Sequence, residues 1–136
     1  MKVAVCLDDR AGMMFGSKRQ SMDSKQRKIM LAHMSGAKVW MNEYTAKLFD
    51  PLPGNAVVAE DFLDRAEEDD WCFVENKDLT PYLNRITELL IYRWNRTYPA
   101  TLYFPENKLP QRLRLVGKME FPGSSHEKIT QEVYKL

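Results

Sequence analysis

The sequence predicts an α/β domain built on a mostly parallel sheet that ends in an antiparallel C-terminal hairpin. Three observations predict it. Short apolar runs alternate with helix-like segments through the first part of the chain. From Leu89 onward, apolar runs follow one another with no helix between them. The last two runs are separated by Pro122-Gly123-Ser124-Ser125, a composition that favours chain reversal.

The elements follow in order. Val3 to Leu7 is a continuous apolar run ended by Asp8-Asp9, the pattern of a strand buried on both faces. Arg10 to Gln20, rich in Gly, Met and basic residues, reads as a long loop. Ser21 or Asp23 caps a helix over about Ser24 to Met34, with Ile29, Met30 and His33 or Met34 on one face and Gly36 just past its end. Lys38 to Met41 is a second strand, and Glu43 to Phe49 a short helix stopped by Asp50-Pro51. Ala56 to Ala59 is a strand, Asp61 to Arg65 a helical turn, and Asp70 to Val74 a further strand. Thr80-Pro81 reads as a cap with proline in the first turn of a helix reaching about Ile86. Leu89 to Trp94, mixing aliphatic and aromatic residues, is the strongest strand signal. Thr101 to Phe104, Leu113 to Glu120 and Ile129 to Tyr134 complete the set.

With 136 residues, the chain is expected to form one domain over 1–136, large enough to bury its own core. Lys plus Arg number 20 against 19 Asp plus Glu, so no global field recruits nucleic acid or an anionic membrane. No apolar run approaches a membrane span, and MKVAVCLDD opens directly as a strand and not as a secretion signal. The expected location is the cytoplasm. Cys6 and Cys72 sit in the apolar runs VAVCL and WCFV, as buried reduced thiols would; a disulfide stays open until their separation is known.

Three motifs stand in sequence. Val39-Trp40-Met41-Asn42-Glu43-Tyr44-Thr45 is followed by Pro51-Leu52-Pro53-Gly54-Asn55, and the C-terminus runs from Tyr103-Phe104-Pro105 through the final hairpin. In this order and spacing the chain resembles the dihydrofolate reductase family over nearly its whole length. The resemblance implies a three-layer sandwich of that type.

Four departures accompany the resemblance. The family's Gly-Arg pair after the second strand, whose Arg meets a phosphate on the cofactor's adenosine ribose, is replaced by Asn42-Glu43. The family's Gly-Gly, where backbone approaches the pyrophosphate, is replaced by Glu75-Asn76. The Arg after Pro-Leu-Pro-Gly that holds the folate carboxylate is Asn55, and Arg19-Gln20 stand where the family has Pro-Trp. Asp23 is the nearest counterpart of the family's acidic residue in the first helix. With charge-assisted contacts worth about 1.5–3 kcal/mol each, NADPH is disfavoured and no cofactor is expected. The implied function is a ligand- or partner-binding domain for a small anionic ligand or a protein. The alternative is a divergent reductase, or another enzyme, using a remodelled cleft between Asp23, Thr45 and Arg93.

Individual residues carry paired readings. Glu43 and Glu75 read as solvated charges at strand ends; Glu75 reads alternatively as a cap for the helix near Thr80 or its preceding turn, in place of the lost phosphate. With no ligand to hold a costly cis bond, the Glu75–Asn76 peptide is expected trans. His33 and His126 are the only histidines, too few and too scattered for a metal site; the H-x-H-x-D-H cluster of metallo-hydrolases is absent, as are G-x-S-x-G, P-loop and Cys-His motifs. Met13, Met14, Lys18, Arg19, Met22, Lys25, Arg27 and Lys28 read as a solvated basic face or as a docking surface for an acidic partner. Trp94 is assigned to the core, or with Arg93, Asn95, Arg96 and Tyr98 to the cleft wall. The cleft candidates are thus Arg19, Asp23, Asn55, Arg93 and Trp94. An open crevice beside Glu43, Glu75 and Trp94 would favour a ligand; a filled one with an apolar patch elsewhere would favour a protein partner.

Overall fold

The computed structural model describes residues 1–136. The chain runs β1 (Lys2–Leu7), β2 (Gly12–Phe15), β3 (Lys18–Arg19), α1 (Ser24–His33), β4 (Val39–Met41), α2 (Glu43–Ala46), β5 (Ala56–Val58) and α3 (Phe62–Arg65). It continues through β6 (Trp71–Phe73), β7 (Glu88–Arg93), β8 (Leu102–Tyr103), β9 (Arg114–Phe121) and β10 (Ile129–Lys135), with 3-10 turns at Thr80–Arg85 and Glu106–Lys108.

Seven strands form one sheet in the order β5-β4-β6-β1-β7-β10-β9. From β5 to β7 every pairing is parallel, and β10 runs antiparallel to both β7 and β9. The centre is β1, in register with β7 from Lys2↔Glu88 to Leu7↔Arg93. Its unbroken apolar run is explained by burial on both sides. Val3, Val5 and Leu7 enter one core with Trp40, Leu89 and Ile91, while Ala4 faces the other with Met30, Met34, Phe73 and Tyr92. Cys72 belongs to the first core and Cys6 packs against the second, so the sheet separates them and both remain free thiols. No helix is long and apolar enough to cross a membrane.

The expected first helix forms, and Asp23 rather than Ser21 caps it, accepting the Gln26 N–H at 3.0 Å. Gly36 follows with φ +85°, a left-handed conformation that glycine adopts without strain.

Four local expectations are corrected. Arg10 to Gln20 is no loop: β2 and β3 pair across a two-residue Gly16-Ser17 turn, and with β8 they form a second, three-stranded sheet. Met13 and Met14 are therefore core, not basic surface. The helix after Asn42 ends at Ala46, short of Phe49. At Thr80 the side chain caps nothing; Asp78 Oδ1 accepts the Thr80 N–H at 2.9 Å, and the segment is a 3-10 turn starting after Leu79.

Because Met14 is fully buried, Met14→Ala is expected to lower unfolding free energy by about 2–5 kcal/mol in urea titrations. A change within about 0.5 kcal/mol would return this segment to the solvated surface.

Candidate functional site

Strands β1, β4, β6 and β7 end on the same edge of the sheet, the edge where open α/β sheets bind ligands. Asp8 follows β1, Asn42 follows β4, Glu75 lies just past β6, and Trp94 follows β7. The β2–β3 hairpin reaches across this edge through Arg19. Its guanidinium pairs with the Glu75 carboxylate in a two-pronged contact, Nε to Oε2 at 2.9 Å and Nη2 to Oε1 at 3.0 Å. Thr45 Oγ1 donates to the same carboxylate at 2.8 Å. Tyr44 fixes Arg19 from the other side: the guanidinium lies 4.4 Å from the ring centre, and Tyr44 Oη accepts the Arg19 N–H at 2.9 Å. Hydrogen bonding to Glu75 pushes the Arg19 pKa above its ordinary value.

Neighbouring polar groups are committed too. Asn42 Oδ1 caps α2 through the Thr45 N–H at 3.1 Å, while its Nδ2 donates to Asn76 Oδ1 at 2.7 Å. Glu43 is exposed, and its N–H donates to Glu60. The crevice enclosed by Cys6, Gln20, Ser21, Arg27, Glu75 and Trp94 holds only about 20 Å³. Burial raises the Cys6 thiol well above its ordinary value, with Glu75 adding to the effect, so it is no thiolate nucleophile.

Two buried carboxylates organise the loops around this crevice. Asp8 accepts N–H groups from Gly12, Arg10 and Tyr98 and the Gln20 side-chain amide. Burial opposes its ionisation, but the backbone donors, Gly12 first, outweigh it and hold the carboxyl below the usual range. Gln20 Nε2 donates to both Asp8 Oδ2 and the Pro99 carbonyl, which fixes the amide and turns Oε1 away from them. That Oε1 and Arg27 Nη1 are buried with no partner in the protein.

Asp23 is the second. Besides Gln26 N–H, it accepts Ser124 N–H at 3.0 Å, Ser125 N–H at 2.8 Å and His126 Nδ1 at 3.0 Å. Burial again opposes the charge. The donors, Ser125 N–H and His126 foremost, overcome it and drive the carboxyl far below the usual range. His126 Nε2 lies 2.8 Å from Ser21 Oγ and 3.4 Å from Tyr98 Oη, and Trp94 stacks on the ring at 4.5 Å.

No protein-family model matches the sequence, and no curated protein matches it. Among solved structures, the dihydrofolate reductase from Enterococcus faecalis complexed with NADP(H) and RAB-propyl aligns with a TM-score of 0.68 at 12% identity. The match covers 99% of this chain and 95% of that one. The fold is that of dihydrofolate reductase.

Within this dihydrofolate reductase fold the candidate residues separate. Arg19 and Trp94 line the crevice; Asp23 lies buried beside it, behind Ser21 and His126. Asn55 does not line it and instead ties its own loop to the Ala37 carbonyl at 2.8 Å. Arg93 is taken up by Glu132 at 3.0 Å and by Glu106. Glu75 is neither a solvated charge nor a helix cap, because Arg19 and Thr45 hold it. The Glu75–Asn76 peptide is trans; Asp50–Pro51 is cis. No group of three or more His, Cys, Asp or Glu converges in a way that would hold a metal. Sequence reasoning missed His126, Ser21 and Gln20 as site residues. The Ser-His pair inside Pro122 to His126 was the available signal, overshadowed by the turn composition around it.

The Asp23 carboxyl, lowered on folding, contributes stability that is full above its unfolded pKa of about 4 and is lost as pH falls below it. Asp23→Asn is expected to lower stability by about 3 kcal/mol at neutral pH and to flatten the acid limb of stability in urea melts from pH 7 to 3. An unchanged acid limb would show that the clamp contributes nothing. A Cβ at position 123 would collide with the Asp23 carboxylate, so Gly123→Ala is expected to produce a comparable loss.

Proposed function

We propose that this domain does not act as an NADPH-dependent dihydrofolate reductase, and that it serves in the cytoplasm as a binding domain for a small anionic ligand or a protein partner. The observation that carries the proposal is the Glu75 carboxylate, locked by Arg19 and Thr45 at the end of β6. In the family this position is glycine and admits the cofactor's pyrophosphate. An anion arriving here meets a carboxylate whose cation is already engaged, and it must displace that pair before finding a donor. The residues present do not fit the dinucleotide. Glu43, in place of the family's Arg, repels its ribose phosphate, and a crevice of about 20 Å³ is far too small for a pyrophosphate.

Two features support binding elsewhere. An open basin of about 770 Å³ is lined by His126, Arg96, Lys128 and Glu127, and its two cations against one carboxylate favour an anionic group. The outer strand β9 exposes Leu115, Val116 and Met119 along an unpaired edge, the kind of surface a protein partner covers.

A second reading, an enzyme other than a reductase working from the remodelled crevice, has one observation in its favour. It is the run of contacts from Ser21 through His126 to Asp23.

Calorimetric titration of the purified protein with NADPH is expected to show no binding tighter than about 1 mM. Micromolar binding would overturn the proposal. A thermal-shift screen against anionic metabolites is expected to find a stabilising compound that Arg96→Glu, in the basin, abolishes.

A further inference from the structure

We propose that Ser21 is a nucleophile, with His126 as its general base and Asp23 as the positioning residue, in a site for short-acyl esters. The inference rests on the second reading above and is independent of whether NADPH binds.

The geometry sets each role. Asp23 is ionised and accepts only, so the His126 nitrogen facing it at 3.0 Å carries the proton. The lone pair of Nε2 then faces Ser21 Oγ at 2.8 Å, within reach to take its proton. Stacking on Trp94, with 18° between the ring planes, holds the imidazole in that orientation. The His126 and Asp23 side chains are 3% and 0% exposed, so the charge that develops on the imidazole is stabilised in a dry setting. A clamp between the 122–128 loop and α1 needs only the Nδ1 side of His126.

A second observation points to an occupant. The two buried side-chain atoms without a protein partner, Gln20 Oε1 and Arg27 Nη1, both belong to residues lining the crevice that Ser21 lines. Buried polar atoms in folded proteins are nearly always paired, so this acceptor and donor beside one crevice call for a buried water or another polar group to answer them. Arg27 brings a positive charge to the wall of the same crevice, which favours the oxyanion that forms there. The size of the crevice limits the acyl part to about an acetyl group.

The reaction balances with water as the only co-reactant. Ser21 Oγ bonds to the carbonyl carbon as its proton passes to His126 Nε2. The carbon–oxygen bond to the alcohol breaks, and the departing oxygen takes that proton. Water, deprotonated by Nε2, attacks the acyl-serine; Ser21 recovers the proton and the carboxylic acid leaves.

The test combines labelling by a small alkyl fluorophosphonate, mapped by mass spectrometry, with p-nitrophenyl acetate hydrolysis by the intact chain. One adduct per chain is expected, on Ser21, with turnover falling about 10²–10⁴-fold in Ser21→Ala and in His126→Gln. Ser21→Ala keeps the Asp23–His126 contact, so its fold is expected to survive and its melting temperature serves as the control. Asp23→Asn is expected to label weakly at neutral pH and to recover at alkaline pH, whereas a merely structural Asp23 gives a loss independent of pH. Hydrolysis that survives Ser21→Ala overturns the assignment of Ser21 while leaving an enzyme in the crevice. Absence of both adduct and hydrolysis overturns the assignment and the second reading together.

Discussion

The arrangement around the crevice depends on one buried negative charge. Asp23 caps α1 and at the same time receives the 122–128 loop, so a single carboxylate joins the start of the first helix to the turn of the C-terminal hairpin. A lone carboxylate could not be buried at acceptable cost. Three backbone N–H groups and an imidazole make its ionised form the stable one. The geometry follows from that requirement. Gly123 must lack a side chain, Ser124 and Ser125 must turn their amides inward, and His126 must present Nδ1, which sends Nε2 towards Ser21.

Along the same sheet edge, the Arg19–Glu75 pair satisfies charge in a different way. Glu75 lies just past the end of β6, and Arg19 arrives from a hairpin that belongs to the second sheet. The pair is bidentate and partly buried, a geometry that favours specificity of closure more than stability. It draws the β2–β3 hairpin over the crevice and leaves little volume beneath.

Most of the fold was legible in the sequence because its signals are local. The apolar run of β1, the mixed aliphatic and aromatic run of β7 and a cap at Ser21 or Asp23 each declare themselves within a few residues, though only the structure chooses Asp23. The β2–β3 hairpin was missed because Met13 and Met14 sit among basic residues, and composition hid a Gly16-Ser17 turn that is itself a hairpin signal. The site was less legible still. Glu75 was recognisable as a departure, but its partner Arg19 lies 56 residues earlier, and Asp23 and His126 are 103 apart. Nothing in local pattern joins such pairs; the sheet order does.

The difference between the two halves of the edge is one of unmet hydrogen-bonding capacity. On the β4–β6 side, Asn42, Thr45, Glu75 and Asn76 answer one another, so a ligand there gains only what it takes from existing bonds. Towards β7 and the 122–128 loop, Gln20 Oε1 and Arg27 Nη1 are buried without a protein partner, and the Ser21 hydroxyl is aligned on an imidazole. Binding free energy comes from groups that are better satisfied with the ligand than without it. By that criterion the second region has more to gain from an occupant than the first. Fold and function reside in different residues, so it is these local contacts along the sheet edge, and not the shared scaffold, that decide the chemistry.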